Sequence, residues 1–137
     1  MPGEIFVDTN ILVYAHDLEA GLKHQKAKDL VAESWHHSPP PCVSIQVLQE
    51  LLVNLRRKGV GPKDARHTVE DYMHWRIVEN TRSLFASGLD EMDRWQISLW
   101  DAMILAAARY AGAKIVWSED LSEDQDYDGI EIVNPLT

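Results

Sequence analysis

The chain has 137 residues, with 13 Lys plus Arg against 22 Asp plus Glu, a formal charge of −9 and 45% hydrophobic residues. That length and balance predict one globular domain over residues 1–137 and exclude a disordered or fibrous chain. Cys42 is the one cysteine, which excludes an internal disulfide and a cysteine-built zinc site, and with no basic leader and no run of about 20 apolar residues we expect a soluble, cytoplasmic protein with no membrane partner.

In chain order, Glu4–Asp8 (EIFVD) predicts a buried strand and Asn10–Ala15 a short helix. Gly21–His37 carries apolar residues at helical spacing until Pro39-Pro40-Pro41 breaks it. Cys42–Ser44 predicts a strand, Ile45–Lys58 a helix stopped by Gly59 and Gly61, and Pro62 opens another helix that ends near Trp75. Arg76–Glu79 predicts a strand and Thr81–Asp93 a helix. Ser98–Ala111 is apolar nearly all round, so it should lie buried, with Gly112 as its C-terminal cap. Lys114–Trp117 and Ile130–Val133 predict the last two strands. Strands alternating with helices imply an α/β/α sandwich around a short central parallel sheet. Trp35, Trp100 and Trp117 are expected in its core, Trp95 at a helix junction, and Tyr72, Met73 and Trp75 at a partner surface.

In open α/β folds, ligands bind beyond the carboxyl ends of strands. Asp8 ends the first strand in VDTN, and Ser118, Glu119 and Asp120 follow KIVW. Asp101 lies within the apolar helix, where a lone charge is costly without a partner. Glu50 lies in QVLQELL. Each acid also has an ordinary structural reading. Asp8 is a favoured N-cap, and Asp101 completes an S-x-x-D box with Ser98. Asp120 is one of several loop acids. Glu50 sits nearly opposite the Leu48, Leu51, Leu52 and Leu55 arc, as on a solvated face.

VDTNILVYA resembles the opening motif of PIN-domain nucleases, QVLQELL their second, WDAMILAAA their third, and WSEDL with DGIEIVNP their fourth motif and closing strand. Within that family the sequence is most similar to VapC-like toxins of toxin–antitoxin pairs. The resemblance implies a catalytic, metal-binding acidic centre at Asp8, Glu50, Asp101 and Asp120, with Thr9, Asn10 and Ser118 in support. It also implies a metal-dependent endoribonuclease that cuts RNA and leaves a 5′-phosphate, a homodimer, and a basic antitoxin segment lying across the site. Carboxylates about 4 Å apart repel by roughly 4 kcal/mol per pair at an effective dielectric near 20, so such a cluster needs a cation. Hard oxygen donors favour Mg²⁺ or Mn²⁺, with Asp8 and Asp101 as direct ligands and Glu50 and Asp120 orienting waters or holding a second ion.

Two other readings use the same residues. A phosphotransfer or phosphatase α/β domain also has an acidic pocket. However, Asp8 is followed by Thr9-Asn10 and so lacks the second Asp of D-x-D-x-T, and the endings Glu79-Asn80 and Asn134-Pro135 do not match a phosphoacceptor receiver. A non-catalytic binding module on a PIN-like scaffold is the other. Asp124, Asp126, Asp128 and Gly129 begin like a calcium loop, but Pro135 stands where the closing Glu belongs, so the run is expected to be a solvated connection or a landing site for basic residues of a partner. The histidines have no metal spacing and are expected at the surface. Lys23, Lys26 and Lys28 are expected on a solvated face, and Arg56, Arg57 and Lys58 either end a helix or contact phosphate.

Overall fold

A computed structural model describes residues 5–137. Five parallel strands, β1 (Ile5–Val7), β2 (Cys42–Ser44), β3 (Arg76–Val78), β4 (Ile115–Trp117) and β5 (Glu131–Val133), lie in the order β3-β2-β1-β4-β5. Among the described residues six helices accompany them: α1 (Thr9–His16), α2 (Leu22–Ser34), α3 (Ile45–Arg57), α4 (Pro62–Tyr72), α5 (Arg82–Trp95) and α6 (Leu99–Ala111). The result is the expected α/β/α architecture. Glu4, the first residue of the predicted opening strand, lies outside the described residues.

The strands are short and apolar because parallel strands are covered on both faces. Phe6, Val7, Val43 and Val116 are fully buried. β1 pairs with β4 through Ile5–Ile115, Phe6–Val116 and Val7–Trp117, and with β2 on its other side. The chain therefore leaves β1 toward β2 and later returns on the opposite side as β4. The crevice beyond the carboxyl ends of β1 and β4 is where such a sheet offers room for a ligand.

Side-chain caps set several helix starts. Ser44 Oγ accepts from Val47 N–H (3.2 Å), Thr81 Oγ1 from Leu84 N–H (3.0 Å) and Ser98 Oγ from Asp101 N–H (3.1 Å). Pro62 occupies the first turn of α4, where its missing N–H costs nothing. Gly112 closes α6 at φ 76°, as expected for a glycine C-cap. Helix α1 packs against both α2 and α3, α3 packs against α4, and α5 packs on α6.

The burial of α6 departs from expectation. Ala102 and Ile104–Ala108 are buried, but Trp100 is 63% and Tyr110 79% exposed. Trp100, Met103, Ala107 and Tyr110 form one outward stripe at helical spacing. α5 covers only its middle, so closely that a Cβ on Gly88 would collide with the Met103 thioether. Trp100 and Tyr110, at the two ends of the stripe, stay open to solvent, which corrects the core assignment of Trp100.

The other tryptophans divide similarly. Trp117 is buried as expected, and Trp95 rests edge-on against Tyr127. Trp35 is 41% exposed, while Tyr72 and Trp75 are buried beneath it, with ring centroids 5.6 and 5.2 Å from its own. The surface expected at Tyr72 and Trp75 is thus covered by α2, and only Met73 of that trio is open to solvent.

Candidate functional site

The backbone of β1 carries Asp8 to the sheet edge, where its N–H donates to Trp117 O (2.9 Å). The carboxylate is only 5% exposed. Oδ1 accepts from Thr9 N–H (2.7 Å), so the N-cap reading holds, and Oδ2 accepts from the Ser118 hydroxyl (2.8 Å). Ser118 Oγ also accepts from Asp120 N–H (3.1 Å) and Leu121 N–H (3.2 Å). This one hydroxyl therefore ties the loop after β4 to the end of β1.

Thr9 and Asn10 extend the same scaffold. The Thr9 hydroxyl donates to Glu50 Oε1 (2.9 Å), and Asn10 Nδ2 donates to Asp120 Oδ2 (2.9 Å). Asn10 Oδ1 accepts from Glu119 N–H (3.4 Å). Asp8, Glu50, Asp101 and Asp120 line one cavity of about 330 Å³, which opens over the β1–β4 crevice. All seven residues singled out from the sequence thus lie in or directly behind one site.

Glu50 reaches the cavity because it lies on the flank of α3. The buried arc of that helix is Val47, Leu48, Leu51 and Leu55, while Leu52 is partly open to solvent. Glu50 precedes Leu51 by one residue, about 100° around the helix, and so faces α1 across the α1–α3 contact. Including Leu52 in the buried arc is what turned Glu50 toward solvent in the sequence reading.

Burial pushes the Asp8 carboxyl up to about 7, against the lowering effect of Ser118 and Thr9, and the charges of Asp120 and Glu50 add to the rise. Burial also raises Asp101, helped by the charge of Asp120 and opposed by Ser98. Among the described residues, no three carboxylate, histidine or cysteine side chains stand close enough together to grip an ion as they are. Asp8, Glu50 and Asp120 are instead held on the cavity wall by their hydrogen bonds to Ser118, Thr9 and Asn10, while Asp101 stands on α6 beside its cap Ser98. All are hard oxygen donors, and the central one is buried and short of positive charge. That donor set suits Mg²⁺ or Mn²⁺, which retain waters and take only one or two carboxylates directly.

Sequence reasoning missed the cationic frame of the site. Lys23, expected on a solvated face, pairs with Glu119, whose Oε1 also accepts from the Tyr14 hydroxyl (2.7 Å). Lys26 donates to Leu136 O (3.3 Å). Lys58 lines the cavity and pairs with Asp17 (2.9 Å). These partners are remote in sequence and carry no local signal. His16, expected at the surface with the other histidines, is half-buried against the Tyr72 hydroxyl (2.7 Å), whereas His67 and His74 are exposed. The calcium-like run is an ordinary turn. Asp126 Oδ1 accepts from Gly129 N–H (2.9 Å), and Asp128 pairs with Arg94 (3.1 Å).

The family model described as PIN domain matches residues 5–124. No curated protein sequence matches the chain. Among solved structures, the VapC20 toxin of Mycobacterium tuberculosis, described as cleaving the sarcin-ricin loop, is 24% identical with a TM-score of 0.70, over 85% of this chain and 91% of that one. A toxin–antitoxin complex from Klebsiella pneumoniae is 20% identical with a TM-score of 0.71, over 96% and 97%. DNA-bound VapBC from Salmonella typhimurium is 18% identical with a TM-score of 0.63, over 94% and 96%.

Proposed function

The chain belongs to the PIN-domain family, and on that premise we propose that it is a metal-dependent endoribonuclease, one domain over residues 1–137, acting as the toxin of a VapBC-type toxin–antitoxin pair. The observation that carries this reading is the buried Asp8 carboxylate, ringed by Glu50, Asp101 and Asp120 on the wall of one cavity. Four acids around a cavity are a poor docking surface for a polyanion, and they make chemical sense as a cradle for a cation.

Asp8 and Asp101 would be the direct ligands of Mg²⁺ or Mn²⁺, and Glu50 and Asp120 would orient water or hold a second ion. Such an ion supplies positive charge for the phosphate oxygens and acidifies water near the scissile bond. Ser118, Thr9 and Asn10 fix the carboxylates so that little rearrangement is needed when substrate arrives. Asp8, held above its ordinary range by burial, would have to be ionised to hold such a cation.

The structural neighbours include complexes of toxins with antitoxins. A chain at −9 with an acidic cavity suits a basic antitoxin segment laid across the site, and two copies of the chain form the working toxin. Among the described residues, no helix is long and apolar enough to cross a membrane.

The test is cleavage of RNA by the purified chain in Mg²⁺ and in Mn²⁺, with EDTA and Asp8→Asn as controls. We expect cleavage that leaves 5′-phosphates, is stopped by EDTA, and falls at least about 1,000-fold in Asp8→Asn while its circular dichroism is unchanged. Equal rates for the two proteins would overturn the assignment.

A further inference from the structure

Beside the carboxylate cavity lies a second depression of about 320 Å³, on the outer side of α3 and the first turn of α6. Trp100, Val53, Asn54 and Arg57 line it, and the two depressions adjoin, since Glu50, Asn54 and Trp100 line both. Its volume is within the range of about 300–1,000 Å³ usual for small-ligand sites.

The side chains around this depression are unusual for a solvated surface. Trp100 is 63% exposed although it directly precedes Asp101. An open indole next to an acidic site leaves a large apolar face in water. Val53, also open, adds to that apolar surface. Charge gives the depression a direction. Of the cations near the acids, Lys58 is neutralised by Asp17 and Lys23 by Glu119. Arg57, in the last turn of α3, makes no ion pair or side-chain hydrogen bond among the described residues. A polyanion leaving the acidic cavity toward this depression therefore meets, in Arg57, a cation without an ion pair among the described residues.

We propose that this depression is a substrate subsite for single-stranded RNA, in which the nucleobase next to the scissile phosphate stacks on Trp100 and the adjoining phosphate pairs with Arg57. The proposal rests on the nuclease reading and deepens it by naming the residues that seat the strand and the side from which it enters. A base paired within a duplex offers no free face to a protruding indole, so the occupant is an unpaired strand or loop. Stacking on one aromatic ring tolerates every base, so Trp100 contributes affinity with little sequence preference. The guanidinium fixes the backbone and thereby the register of the strand over the carboxylates.

Affinity for a fluorescein-labelled oligoriboadenylate is measured by anisotropy on the wild-type chain with Ca²⁺, a hard divalent ion able to fill the carboxylate site, over times too short for detectable cleavage, with the self-association of each variant followed by sedimentation equilibrium. Adding Trp100→Ala should weaken binding about tenfold, and Trp100→Phe should recover most of it. Oligomers with a single abasic site, placed at each position in turn, should include one that loses about the same factor on the parent and nothing further on Trp100→Ala. Arg57→Ala should reduce the slope of log affinity against log salt by about 0.7. Unchanged affinity in Trp100→Ala, or abasic and Trp100 effects that simply add, overturns the subsite. If Trp100→Ala instead abolishes self-association and leaves RNA affinity intact, the face belongs to a second copy of the chain. A wild-type chain that neither binds nor cleaves RNA in Mg²⁺ or Mn²⁺ fails the nuclease reading and the subsite together. A wild-type chain that cleaves RNA while the Trp100 variants bind normally fails the subsite alone.

Discussion

A proton on Asp8 matters to the folded chain far more than to the unfolded one. Its carboxyl is pushed up to about 7 by burial, while an unfolded Asp titrates near 3.8. The folded state therefore holds the proton more tightly between those values. Without metal, this contribution to stability is fully present below about pH 4 and is lost as pH rises through about 7, on the order of 4 kcal/mol in all. His16, lowered by burial, acts in the opposite sense over part of that window. The informative quantity is therefore the comparison with Asp8→Asn. In urea unfolding with EDTA, the variant should gain stability relative to wild type between pH 5 and pH 8. A pH-independent difference would show that Asp8 is ionised throughout. Asp8 was legible from the sequence as the acid that ends the first strand, because strand ends are where an α/β fold exposes polar groups. The same logic found Ser118 and Asp120. It failed for Trp100, whose exposure depends on where a neighbouring helix crosses and not on its own helical spacing.

At the scale of elements, α5 and α6 are joined by an ion pair whose carboxylate is buried and whose guanidinium is about one-third exposed. Arg109 Nε donates to Glu91 Oε2 (2.6 Å) and Nη2 to Glu91 Oε1 (3.2 Å), while the Trp95 indole N–H donates to Oε1 (2.8 Å). Arg109 also donates to the carbonyls of Tyr127 (2.9 Å) and Asp128 (3.1 Å), so it holds the β4–β5 loop as well as α5. Removing one partner from such a pair leaves a charge in a poorly solvated place. Glu91→Ala should therefore cost about 1.5 kcal/mol in denaturant unfolding, and the double variant with Arg109→Ala should cost clearly less than the sum of the single ones. Additive losses would mean that the pair has no coupling of its own. RNA cleavage per folded molecule should be unchanged, because neither residue lines the cavity. These helices were legible from periodicity and caps, with bounds within one or two residues. Their pairing was not, since nothing local to Glu91 distinguishes it from the solvated acids Asp90 and Asp93 beside it.

For the molecule as a whole, the strand order β3-β2-β1-β4-β5 performs the assembly. It sets β1 beside β4 although more than a hundred residues separate them in the chain, and so brings Asp8 and Asp120 to one crevice, with Asp101 entering from α6 and Glu50 from α3. The alternation of strands and helices made the parallel sheet legible. The convergence of four acids on one cavity became legible only through the motifs of a known family, because spacing alone pointed Glu50 outward. The central claim is that this anionic cavity exists to hold a divalent ion. Calorimetric titration of Mn²⁺ into the metal-free chain at pH 6 and pH 8 tests it most directly. Saturable binding is expected that releases about one proton per ion at pH 6, much less at pH 8, and is lost in Asp8→Asn. Binding that is absent in the wild-type chain, or identical in the two proteins, would contradict it.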